Sequence, residues 1–207
     1  MKILLLGATG RVGNIIAGLA VNDQHHINAL VRSPEKLDIA NDRLTIHQGN
    51  VLDQQKLSEA MVDADIIINA LNTDKNDTLS RSMPLIIQEM KHHGIKRIIT
   101  IGTAGILNSR TEEGRYRFQS SESKRRSTTA AEDHLAAYHY LKESNLQWLI
   151  VCPTALINGS AEGNYRVEEN YLPENGKRIS VGDTADFAYR QMSQQEAFIH
   201  TRVGIAY

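Results

Sequence analysis

LLLGATGRVGN, residues 4–14, sets Gly7, Gly10 and Gly13 three residues apart directly behind an apolar run. A glycine triplet by itself is turn chemistry in many chains. Here a run of strand length precedes it and RVGNIIAGLAVN, apolar at helical spacing, follows it. In that setting the first glycine turns the backbone out of the strand, the second lets it approach a pyrophosphate, and the third lets the helix pack against the sheet. A helix beginning near Arg11 then aims unpaired backbone N–H groups at the anion.

The rest of the chain repeats the alternation. Apolar runs of strand length occupy residues 2–7, 26–31, 43–49, 64–71, 96–103 and 147–153. Helical patterns lie between them. One covers 53–62 with Asp53 as N-cap, and another 82–94, entered at Ser82 before Pro84 and left at Gly94. A third covers 129–145 and stops at Asn145; a final helix is capped near Asp183, and residues 196–207 read as a last edge strand. Strands apolar on both faces, separated by helices, predict an α/β doubly wound parallel sheet. The chain is expected to be one domain, 1–207, with substrate-side elements at about 104–126 and 154–180.

Composition narrows the partners. A net charge of −1 and a pI near 6.7 provide no global basic field for nucleic acid or an anionic membrane, so any anion site is local. The single cysteine, Cys152, cannot form an internal disulfide and lies in the apolar WLIVCP stretch, as packing rather than as a reactive thiol. No apolar stretch approaches the ~18 residues of a membrane span, and nothing resembles a signal peptide. A cytoplasmic protein is expected. No metal site is expected either: the His25/His26 and His92/His93 pairs are adjacent residues pointing to different sides.

GATGRVG, LVRSPEKL, QGNVLDQQKL, DADIIINAL, MKHHGIKRIITIGT and EDHLAAYHYLKESNLQWLIVCPT, in this order, resemble the atypical short-chain dehydrogenase/reductases of Rossmann fold. Within them the chain is similar to the branch of NmrA-like sensors and biliverdin-IXβ/flavin reductases. The resemblance implies cofactor contacts at Gly7, Thr9, Gly10, Arg11, Val12 and Gly13, at Arg32 and Ser33, and at Asn50 and Val51. It implies further contacts at Ala70, Leu71, Asn72, Thr103, Cys152 and Pro153. Arg32 closes the second strand, where an acid would serve NAD(H); a guanidinium there suits the 2′-phosphate, so NADP(H) is expected over NAD(H). Many relatives carry Asp where this chain has Asn50.

Candidate catalytic residues are Thr103, at the place of a family serine, and His134, at the place of the family lysine; the family tyrosine falls on Ala130. Tyr138 and Lys142 have the Tyr-x-x-x-Lys spacing but come one or two turns late, and are read as decorating the helix surface. Without that acid–base pair, hydride transfer to a flavin-like or quinone-like planar acceptor needs mainly alignment. FMN or FAD is then a substrate rather than a prosthetic group. Relatives often carry a histidine after the strand-six proline, where this chain has Ala155, which speaks against biliverdin itself. The alternatives left open are a non-catalytic NmrA-like redox sensor, which alone would require a protein partner, and, more weakly, a nucleotide-sugar epimerase relative. Residues 104–126 are too long for an ordinary connection. With Arg110, Arg115, Arg117, Lys124, Arg125, Arg126, Tyr116 and Phe118 they suit either a lid over an anionic planar substrate or a solvated flap.

Overall fold

In strand β1 (Lys2–Leu6), Leu4 and Leu6 face one side, Ile3 and Leu5 the other, and all four are buried. A strand apolar on both faces needs a layer on each side. The computed structural model, which describes residues 1–74, 76–123, 127–194 and 197–207, provides both. After β1 come α1 (Arg11–Asn22), β2 (His26–Val31), β3 (Leu44–Gln48), α2 (Gln54–Met61), β4 (Ile66–Asn69), α3 (Thr78–His92) and β5 (Arg97–Ile101). Then follow α4 (Thr129–Glu143), β6 (Gln147–Pro153), β7 (Ala155–Ile157), β8 (Arg166–Glu169), β9 (Arg178–Ser180), α5 (Val181–Arg190) and β10 (Thr201–Ala206).

The main sheet runs β3-β2-β1-β4-β5-β6-β10-β8, parallel except for β8, and β7 pairs with β9 in a small second sheet. Residues of α1 and α5 build the core on one face; α2, α3 and α4 build it on the other. This is the doubly wound Rossmann arrangement in one domain. Strand order reverses between β1 and β4, so a crevice opens beyond their carboxyl ends.

Several local expectations are corrected. Helix α3 begins at Thr78, a turn before Ser82, and Pro84 lies inside it. The early start is held from another helix: the Asp133 carboxylate of α4 accepts from the N–H groups of Leu79 and Ser80 at 3.1 and 2.9 Å. Helix α4 stops at Glu143 with an extended Ser144, whose hydroxyl donates to the Leu141 carbonyl at 2.7 Å, rather than with a left-handed Asn145. The cap of α5 is Ser180, whose Oγ accepts from Asp183 N–H at 2.8 Å. Strand β10 is not an edge, because β8 pairs antiparallel on its outer side. Asp53 does cap α2, accepting from Lys56 N–H at 3.2 Å.

Residues 104–123, expected as a lid or a solvated flap, form an ordered segment held by specific contacts. Ala104 to Leu107 are buried, and Asn108 bridges to Tyr116. Arg110 pairs with Glu168, Arg115 with Glu112 at 2.9 Å, and Arg117 with Glu122 at 3.4 Å. Glu122 also accepts from the Ser109 hydroxyl at 2.6 Å and the Arg110 N–H at 2.8 Å. Burial raises the Glu122 pKa, and these donors outweigh it to hold the carboxyl below its ordinary range. The expected basic residues Lys124, Arg125 and Arg126 lie outside the described residues.

Candidate functional site

The glycine loop lies across the end of β4. Gly7 has φ +79°, and a Cβ built there would stand 2.4 Å from the Ala70 carbonyl oxygen. A Cβ on Gly13 would stand 2.2 Å from the Gly7 carbonyl oxygen, so the third glycine is what lets α1 approach the loop. Gly10 is less constrained, at 3.2 Å from the same oxygen. No side chain caps α1 and no acidic residue sits in its first turn, which leaves its amino end suited to an anion.

A cleft of about 380 Å³ opens beside this loop, lined by Gly7, Thr9, Gly10, Arg32, Asn50, Val51, Ala70, Leu71 and Asn72. These expected cofactor residues come from the ends of four neighbouring strands, which the sheet order sets side by side. Arg11 faces an adjoining groove with Lys36 and Asn158, and donates from Nη1 to Asn158 Oδ1 at 3.2 Å. Val12 and Gly13 are buried beneath the loop, and Ser33 opens the short turn Pro34–Lys36.

The carboxyl ends of β5 and β6 do not line that cleft. Thr103 is buried and its hydroxyl accepts from Gly105 N–H at 3.3 Å, a local turn bond. Cys152 is fully buried, and burial pushes its thiol pKa up to about 12, which makes it unreactive. Pro153 is buried beside it. In α4, Ala131 packs under Gly105, and His134, half-buried, follows one turn later on the same face.

Tyr138 is corrected from surface to core: it is 6% exposed and packs edge-on against Trp148 at 5.6 Å. With Lys142 it lines a separate cavity of about 600 Å³ that shares no residue with the cleft beside the glycine loop. The Tyr-x-x-x-Lys pair thus lies apart from the glycine-loop cleft.

Sequence reading missed part of the cleft wall. Asp74, Asn76, Thr78 and Arg81 also line it. Asn69, at the end of β4 and 1% exposed, shapes the wall: its Oδ1 accepts from Leu71 N–H at 3.2 Å and its Nδ2 donates to Thr100 Oγ1 at 3.1 Å. A polar residue closing an otherwise apolar run was the available signal. Among the described residues no cluster of three or more His, Cys, Asp or Glu side chains suits a metal ion, and no helix is long and apolar enough to cross a membrane.

A family profile described as NAD(P)H-binding matches residues 7–195. The chain belongs to this NAD(P)H-binding family. Among solved structures, a candidate epimerase from Bacteroides thetaiotaomicron superposes with a TM-score of 0.86 at 27% identity, over 100% of this chain and 96% of that one. A candidate NADH-flavin reductase from Streptococcus pneumoniae gives 0.82 at 21% identity, over 100% and 99%. A short-chain dehydrogenase/reductase from Veillonella parvula in complex with NADP gives 0.79 at 20% identity, over 100% and 94%. The chain spans about a third of the length of the first curated relatives it matches.

Proposed function

We propose that this member of the family is an NADP(H)-dependent reductase that delivers hydride to a planar acceptor of flavin or quinone type. The observation that carries the reading is the single cleft in which the glycine loop, Arg32, Asn50, Val51 and the Ala70–Asn72 turn meet. When bound there, NADPH supplies the hydride. The amino end of α1 and the glycine loop would hold the pyrophosphate, and Arg32 would take the 2′-phosphate, for which a guanidinium fork is matched in geometry and charge. Thr103 and His134 remain candidate catalytic residues only through their resemblance to the family serine and lysine positions, since neither lines the cleft. Neither Tyr138 nor Lys142 is available as the acid–base pair of ordinary short-chain dehydrogenases, so an acceptor that takes its proton from solvent fits best.

Loss of NADPH absorbance on adding FMN, FAD or quinones to the purified chain tests the reading. Tight NADPH binding without turnover of any acceptor favours the sensor reading instead. Arg32→Asp is expected to weaken NADPH binding tenfold or more, on the order of a lost charge-assisted contact, and not to weaken NADH binding, because a carboxylate there can accept from a ribose hydroxyl. Equal NADPH affinity in the variant would remove Arg32 from the site.

A further inference from the structure

Arg32 is not an open cation. Its Nη2 lies 2.6 Å from Asp74 Oδ2, and both residues line the same cleft. Arg32 stands at the end of β2, whereas Asp74 belongs to the connection between β4 and α3, so the pair ties two walls of the cleft together. The placement of Asp74 is built by its own loop. Thr73 N–H donates to Asn72 Oδ1 at 2.8 Å, Asn76 N–H donates to the Thr73 carbonyl at 3.0 Å, and Asn76 Nδ2 donates to the Asp74 carbonyl at 3.0 Å. Asp74 itself sits at φ +52°, a left-handed conformation that aspartate tolerates.

We infer that Asp74 is a specificity-determining residue: its carboxylate holds the Arg32 fork in the place of a 2′-phosphate, so NADP(H) must displace it and NAD(H) need not. The inference rests on the dinucleotide reading of the cleft. A carboxylate and a phosphate compete for the same planar donors, and both cannot be served at full strength. A carboxylate that stays close after displacement repels the incoming phosphate. A ribose hydroxyl, by contrast, asks only for an acceptor and leaves the pair in place. Arg32 is 65% and Asp74 34% exposed at the side chain, so the pair is weak enough to be exchanged and strong enough to bias the choice. Arg81, on the same wall and without an ion-pair partner among the described residues, is available to the phosphate once Asp74 has moved.

The test uses the full chain with Asp74→Asn, Asp74→Ser, Arg32→Met and the Arg32→Met/Asp74→Asn double variant, titrated with NADPH, NADH and the fragments 2′,5′-ADP and ADP. Both Asp74 variants are expected to bind NADPH and 2′,5′-ADP about fivefold more tightly, as release of one exposed ion pair allows, with NADH and ADP unchanged within about twofold. In the Arg32→Met background the gain should vanish. Unchanged or weaker NADPH binding in both Asp74 variants overturns the inference, as does a gain that survives without Arg32. Wild-type chain that binds none of the four compounds overturns the dinucleotide reading itself, and this inference with it.

Discussion

Gly13 shows how a single hydrogen atom in place of a methyl group carries the site. The oxygen 2.2 Å from its virtual Cβ belongs to the backbone of Gly7, which cannot rotate away as a flexible side chain would. Gly13→Ala is therefore expected to displace α1 from the loop, lowering stability by about 1–3 kcal/mol and weakening dinucleotide binding. Gly10→Ala, with 3.2 Å of room, should cost clearly less. Thermal unfolding and NADPH titration of the two variants check the ordering, and the reverse order would contradict the packing argument. The need for glycine was legible in the spacing; which glycine is most constrained was not, because that depends on a carbonyl placed by the fold.

At the scale of the element, strand identities followed from apolar run length, and helix ends did not. The start of α3 is fixed by Asp133, a buried carboxylate that lies 54 residues further along the chain from Leu79. Its two oxygens take two backbone donors that no residue next to α3 satisfies. Asp133→Ala is expected to lower stability by about 1–2 kcal/mol, in the range of a lost N-cap, and Asp133→Asn by less, since one acceptor oxygen remains. Urea unfolding of both variants measures this. Amide hydrogen exchange at Leu79 and Ser80 should accelerate in Asp133→Ala, whereas protection equal to wild type would count against the cap. Ser82 and Pro84 pointed to a plausible entry because local cues are all that a sequence window contains.

Across the whole molecule, Asp183 ties the backbone at residues 162–163 and the side chain of Tyr207 to the start of α5. It is fully buried at the start of α5 and accepts from the N–H groups of Glu162 and Gly163 at 2.9 and 2.8 Å, and from the hydroxyls of Ser180 and Tyr207 at 2.9 and 2.6 Å. Burial raises its pKa, but the hydrogen bonds outweigh this and hold the carboxyl below the usual aspartate range. A depressed folded-state pKa contributes stability that is fully present above the unfolded value near ~4 and is lost as pH falls through the folded value. Asp183→Asn is thus expected to lower the urea midpoint at neutral pH, by about 1–3 kcal/mol of stability, with the gap to wild type narrowing in acid. A gap that stays constant between neutral and acid pH would exclude the ionised carboxylate as its source.

The sequence by itself determined the doubly wound class, the glycine loop at its first crossover and the neighbourhood of Arg32. Those features are written in run length, period and the backbone freedom of glycine, all of which act within a few residues. Only the tertiary structure decided that Tyr138 is core, that residues 104–123 are pinned by their own ion pairs, and that Arg32 is already held by Asp74. Each of these depends on which distant groups meet. A charge or a ring is exposed, paired or buried only after the whole chain has packed, and no local pattern records its partner.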